Sequence, residues 1–234
     1  MRAAALVMTY GRPQLAELLA CVLRQTTSNV PTLVYVDNAS WLQVAPVPSV
    51  HVTYGPPIEL FGDVRAAAVE RARVIFGLGP SDGLIILDDD DFYSSRHYER
   101  TIEALEREPG CWTGGLAMGV TFDGGPVEYV RGEAGVGQQA TWGFRLAEYD
   151  AAGGYAAVRR DEDLALASSL GWSNCRPHWH CTHVRRQSHR EGISGAANFD
   201  RALLRSKAYA RAEVMVPRWS AECEALEQWC AIQR

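Results

Sequence analysis

The sequence predicts an α/β fold: one mostly parallel, doubly wound sheet with helices on both faces, followed by a smaller mixed portion. Three observations carry this. Short apolar runs and amphipathic helical stretches alternate through the first 110 residues, the pattern of parallel βαβ units. The run Leu84-Ile85-Ile86-Leu87 is unbroken by any polar residue, as expected of a strand covered on both faces. Each of the clearest apolar runs also ends in a polar cluster: Thr9-Tyr10, Asp37-Asn38-Ala39-Ser40 and Asp88-Asp89-Asp90-Asp91. In open α/β sheets the ligand crevice lies beyond such carboxyl ends.

The elements come in order. Residues 3–9 read as a first strand, and Arg12-Pro13 as a turn with proline near a helix start. Leu15, Leu18, Leu19, Val22 and Leu23 then recur at helical spacing over 14–25. Leu33 to Val36 is a second strand, and His51 to Tyr54 a shorter third one closed by Gly55-Pro56-Pro57. Gly62-Asp63 precedes a helix over about 64–77, rich in alanine and arginine. After the strand 84–87 and its aspartates, a helix near 95–107 stops at Pro109-Gly110. Beyond 110 the texture changes. Trp112 to Val120 and Val127 to Val130 read as strands around Gly124-Gly125, and Trp142 to Arg145 as another. A helix over 161–170 ends at Gly171, the segment 172–197 is loop-rich, and 218–230 is an amphipathic helix. The break near 110 separates two halves of one domain.

Composition narrows the function. The 234 residues are 47% hydrophobic and 22% charged, enough to bury one substantial core. The net charge of −5 argues against a surface that coats nucleic acid, although Arg185, Arg186 and Arg190 could line a local basic groove. No run reaches the ~18 apolar residues that span a bilayer. The apolar start is cut at Thr9-Tyr10-Gly11 and reads as a strand rather than a leader. Six cysteines without a regular framework suit reduced thiols. The expected location is cytoplasmic.

Four adjacent carboxylates repel one another unless a cation or solvent compensates. All-oxygen ligation favours Mg²⁺ or Mn²⁺. The alternative is a solvated acidic turn that starts a helix. If strand geometry persists, Asp88 and Asp90 share one side, leaving Asp89 and Asp91 to orient the turn and cap the next helix.

The order of motifs resembles the family 2 glycosyltransferases, across roughly residues 3–195. Val7-Met8-Thr9-Tyr10-Gly11-Arg12-Pro13 is similar to the family's strand-then-polar-turn opening. Val36-Asp37-Asn38-Ala39-Ser40 is close to its V-D-N-x-S, and Leu87 to Asp91 matches L-D-x-D-D, which contains the DXD motif. Asp161-Glu162-Asp163-Leu164 matches the E-D step that opens a helix before a glycine. The resemblance implies a GT-A fold, with residues 1–110 as the nucleotide-sugar half and 111–234 as the half for acceptor and catalytic base. It implies a nucleotide-sugar donor, most simply a UDP-sugar, and Mn²⁺ or Mg²⁺. Asp37 would accept a hydrogen bond from the base, with Thr9 and Tyr10 bordering that pocket. Asp90 would bind the cation, Asp88 and Asp89 would lie by the donor, and Arg65 could pair with the diphosphate; Arg12 is a weaker candidate for that pairing. Asp163 would be the general base of an inverting transfer, with Glu162 and Asp161 the neighbours most easily confused with it. Arg185 to Ser194 resembles the late R-x-H-x-x-x-x-S segment, so His189, then His183, would complete the metal sphere or touch the phosphates. The acceptor hydroxyl could belong to a saccharide, a lipid-linked glycan or a small molecule, and less readily to a modified DNA base.

Departures exist. The family's arginine about six residues past the E-D step is replaced by Ala167-Ser168-Ser169. Cys175, His178, His180, Cys181 and His183 have the right types for zinc, without a regular finger spacing. Trp142, Phe144, Trp172 and Trp179 could stack on a sugar or sit in the core. Two other functions use the same features: a nucleotidyl or phosphoryl transferase on the carboxylate site, and a non-catalytic sugar-nucleotide-binding relative with structural zinc.

Overall fold

A computed structural model describes residues 1–12, 14–37, 39, 42–44, 46–56, 58–114, 117–122, 127–131, 139–176 and 183–187, with backbone alone for 117–122, 127–131 and 183–187. The first half runs β1 (Ala3–Thr9), α1 (Leu15–Leu23), β2 (Thr32–Val36), β3 (Val50–Tyr54), α2 (Phe61–Phe76), β4 (Gly83–Asp88), β5 (Phe92–Tyr93) and α3 (His97–Arg107). The second half adds β6 (Ala117–Phe122), β7 (Val127–Arg131), β8 (Gly143–Arg145), α4 (Leu146–Ala151), α5 (Glu162–Leu170) and β9 (His183–Gln187).

The main sheet has the order β3-β2-β1-β4-β8. Its first four strands are parallel, and β8 closes the edge antiparallel to β4. The sheet is therefore the mostly parallel α/β sheet that the sequence predicts. Side chains alternate across it. Ala4, Leu6, Leu33, Tyr35, Leu84 and Ile86 pack in one core with Val64, Ala68, Val69 and Ala72 of α2 and Leu166, Ala167 and Leu170 of α5. Ala5, Val7, Val34, Val36, Ile85 and Leu87 form the other core with Leu15, Leu18 and Leu19 of α1 and Tyr98 of α3. Both faces are covered, which explains why β1, β2 and β4 carry continuous apolar runs.

One close approach sets up the site. A Cβ on Gly62 would lie 1.6 Å from the backbone oxygen of Ala156, so only glycine fits there. The Gly62 N–H donates to the Val158 carbonyl at 3.1 Å. This contact holds the segment leading into α5 against the first turn of α2.

The second, four-stranded sheet has the order β5-β9-β6-β7. It contains the largest departures from the sequence reading. Strand β9 lies in the segment expected to be loop-rich, and its partners β5 and β6 are distant in sequence. Its sequence His-Val-Arg-Arg-Gln carries one apolar residue, so no period-2 signal marks it. The expected strand from Trp112 to Val120 is two isolated bridges at Trp112 and Thr113, then β6. Helix α4 spans six residues, too few for a helical period to stand out. Helix α2 begins three residues before the expected 64, and Gly77 closes it in the left-handed conformation at φ 59°. The expected helix over 218–230 lies outside the described residues. Among the described residues, no helix is long and apolar enough to cross a membrane.

Candidate active site

The carboxyl ends of three adjacent parallel strands converge. Strand β1 lies between β2 and β4, with Thr9 paired to Val36 and Met8 paired to Asp88. The Asp37 N–H continues the ladder, donating to the Thr9 carbonyl at 3.0 Å. Thr9, Tyr10, Asp37 and Asp88 therefore share one edge of the sheet, where a ligand crevice is expected.

Asp37 is 2% exposed. Its carboxylate accepts a hydrogen bond from the Ile58 backbone N–H, while Oδ1 is buried without a hydrogen-bond partner among the described residues. Burial raises its pKa above the ordinary aspartate value, against the opposing effect of the Ile58 N–H. A buried, unsatisfied acceptor is costly in a folded chain.

Tyr10 stands at the centre of the group. Its ring lies 5.4 Å from that of Phe61. Burial, then the charge of Asp37, pushes its hydroxyl up to about 12, and the charges of Arg65, Glu162 and Asp89 also reach it. Arg65 is buried on α2 and donates from Nε to Glu162 Oε1 at 2.7 Å. Its guanidinium lies 5.9 Å from the Phe61 ring centroid and 5.8 Å from that of Tyr155. Desolvation opposes the charge, but Tyr155, Asp88 and Glu162 outweigh it and raise the Arg65 pKa. Arg65, placed by sequence near a diphosphate, thus also ties α2 to the first turn of α5.

The acidic run is a strand end followed by a turn. Strand β4 stops at Asp88, whose N–H donates to the Tyr93 hydroxyl at 2.8 Å. The expected alternation of Asp88 and Asp90 along an extended strand therefore does not continue. Asp89 folds inward and is buried, while Asp90 is partly open. Arg12 Nη1 donates to Asp89 Oδ1 at 3.2 Å and also to Asp90 Oδ2. Burial raises the Asp89 pKa, opposed by the Thr9 hydroxyl and Arg12. Burial and then Asp91 push Asp90 up to about 7. Asp91 is buried and does not cap α3, which starts six residues later after Arg96.

No group of three or more His, Cys, Asp or Glu side chains that could hold a metal is gathered among the described residues. Mg²⁺ often takes only one or two protein carboxylates and completes its sphere with waters and substrate phosphates. Asp90 and Asp88, crowded by like charges, fit that sparse donor set.

Asp163 is half-buried in the first turn of α5, and its Oδ1 accepts from the Leu164 N–H at 2.8 Å. Glu162, its neighbour, is the member of the pair that is buried against Arg65. Asp161 precedes them at φ 60°, an uncommon backbone conformation outside glycine. Trp142 and Phe144 belong to the core, whereas Trp172 is 38% exposed. His189, Trp179 and most of the proposed zinc ligands lie outside the described residues, as do the side chains of His183, Arg185 and Arg186. Cys175 is buried, with Cys111 near enough to raise its pKa further. Tyr155, which flanks Arg65 and accepts a hydrogen bond from Gln139 at 2.8 Å, was not expected from sequence. No local motif marks it, because its place depends on the Gly62 contact.

No protein-family model matches the chain, and no curated protein matches it in sequence. Solved structures do. TarS 1–349 of S. aureus in complex with UDP-GlcNAc superposes with a TM-score of 0.58 at 12% identity, covering 86% of this chain and 62% of that one. TarS 1–349 alone gives 0.56 at 12%, covering 80% and 60%. GalNAc-T7 with UDP, GalNAc and Mn²⁺ gives 0.59 at 11%, covering 81% and 44%. The chain thus spans about 60% of the length of these TarS structures. With a mostly parallel sheet, helices on both faces and these structural neighbours, the chain has the GT-A glycosyltransferase fold.

Proposed function

We propose that this protein transfers a sugar from a nucleotide-sugar, a UDP-sugar in the first instance, to an acceptor hydroxyl, with inversion and with Mn²⁺ or Mg²⁺. The observation that carries the proposal is Asp37: a buried carboxylate at the end of β2 with one oxygen satisfied and the other without a partner among the described residues. A base presenting a ring N–H supplies the missing donor. The neighbours in complex with UDP-GlcNAc and with UDP, GalNAc and Mn²⁺ support a donor of this kind.

The remaining roles keep to the expected assignments, that of His189 by resemblance alone. Thr9 and Tyr10 border the base pocket. Asp90, with Asp88 and Asp89 beside it, would hold the metal facing the diphosphate, and His189 would complete that sphere. When bound, the metal offsets the charge that grows on the departing diphosphate. Arg65 sets the Glu162 side of the crevice and keeps a positive charge within reach of Asp88. Of the Glu162-Asp163 pair, Glu162 is engaged by a buried arginine, while Asp163 accepts from its neighbour's N–H and is paired to no cation among the described residues. Asp163 is therefore the better base. It takes the proton of the acceptor hydroxyl as that oxygen bonds to the anomeric carbon. The bond from that carbon to the diphosphate breaks, and the diphosphate leaves with the electron pair. Residues 1–110 then serve the donor, and 111–234 the acceptor and base.

A thermal-shift panel of UDP-, GDP- and TDP-sugars with and without Mn²⁺ tests the donor class, because a ligand that binds the native state raises its stability. Stabilisation by UDP-sugars with Mn²⁺ is expected. Asp163→Asn should abolish UDP release while sparing donor binding. Full activity in Asp163→Asn would reject that residue as the base.

A further inference from the structure

Arg12 occupies a place in the acidic turn that a metal would contest. Gly11, at φ 86°, turns the chain after β1, and its N–H donates to Thr9 Oγ1 at 3.0 Å. That turn aims Arg12 across the end of the sheet at residues 77 and 78 positions away. One guanidinium nitrogen bridges Asp89 and Asp90. Beside it, Asp89 Oδ2 is buried with no hydrogen-bond partner among the described residues. The Arg12 side chain is 25% exposed and that of Asp90 30%, so solvent reaches the pair and it can exchange.

We infer that Arg12 is a resident counter-cation that competes with the divalent metal for Asp90 and transfers to the donor's diphosphate when metal and nucleotide enter together. This rests on the metal-dependent reading above. A metal at bonding distance from the same carboxylate oxygen would bring two cations into near contact, so Arg12 has to release Asp90. Its planar fork then suits a diphosphate. This has two consequences. Metal alone binds weakly, and nucleotide strengthens metal binding because it gives the displaced arginine a partner.

The test is Mn²⁺ binding, followed by the electron paramagnetic resonance signal of free Mn²⁺, with and without UDP. Wild type, Arg12→Gln and Asp90→Asn are compared after thermal denaturation has shown each to be folded, with Arg12→Lys as a charge-retaining control. The expected result is about tenfold tighter Mn²⁺ binding by Arg12→Gln without UDP, together with a smaller enhancement by UDP. Arg12→Lys should keep the weak metal binding of wild type. If Arg12→Gln binds Mn²⁺ within twofold of wild type while Asp90→Asn loses it, the competition is overturned and the metal site stands. If no variant binds Mn²⁺ even with UDP, the metal-dependent reading falls, and this inference with it.

Discussion

Replacing Arg65 by methionine should destabilise the protein strongly at neutral pH. Arg65 and Glu162 are 8% and 6% exposed and share a 2.7 Å contact. Removing one partner of a buried pair strands the other charge, at a cost of about 3–5 kcal/mol. Methionine keeps most of the apolar volume between Phe61 and Tyr155, so the electrostatic loss dominates. The expected penalty is about 3–4 kcal/mol at pH 7, a fall in Tm of roughly 6–16 °C for a chain of this size. Glu162→Gln should cost less, because Arg65 keeps the charge of Asp88 and the ring of Tyr155. Urea unfolding at pH 7 measures both costs. A cost for Arg65→Met below about 1 kcal/mol, or one no larger than that of Glu162→Gln, would show that the buried pair does not hold α2 to α5.

Two further perturbations test the frame around the site. Gly62→Ala puts a methyl group onto the Ala156 carbonyl, so the 155–162 segment should shift, at a cost of about 1–3 kcal/mol. The shift should also weaken UDP binding, as read by titration calorimetry, since it moves Glu162 against Arg65. Unchanged stability and affinity would show that the contact is dispensable. On α3, a hydrogen bond from Arg96 is the main cause holding the Glu99 carboxyl down to about 2. A depressed folded pKa gives stability that is present above the ordinary glutamate value and is lost as pH falls from about 4 towards 2. Glu99→Gln should thus be less stable than wild type at pH 6, by under about 1 kcal/mol because the pair is solvent-screened. The two should converge near pH 2. A pH-independent difference would contradict the assignment.

The first half of the fold was legible because its signals are local. Strands β1, β2 and β4 are buried on both faces and read as apolar runs, and α1 carries leucines at helical spacing. The polar ends of those strands could be read for the same reason: Thr9, Tyr10, Asp37 and Asp88 stand directly where the apolar residues stop. The second sheet was harder. Strand β9 is polar in sequence and is specified by partners some 65 and 90 residues away. Side-chain traffic inside the site was least legible. Nothing local says that Arg65 faces Glu162, that Tyr155 lies against its guanidinium, or that Arg12 reaches Asp89 and Asp90. The period-2 argument for Asp88 and Asp90 does not carry past the strand end, since β4 stops at Asp88 and a turn holds Asp89 and Asp90. The choice between Glu162 and Asp163 likewise becomes arguable only once the buried ion pair is seen.

The most direct test of a nucleotide-sugar transferase built around Asp37 is calorimetric titration of UDP into wild type and Asp37→Asn, each with and without Mn²⁺. Mn²⁺-dependent binding by wild type is expected, with at least a tenfold loss in Asp37→Asn and both proteins equally folded. UDP binding that is equal in the two proteins, or absent from wild type with Mn²⁺ present, would contradict a transferase built around Asp37.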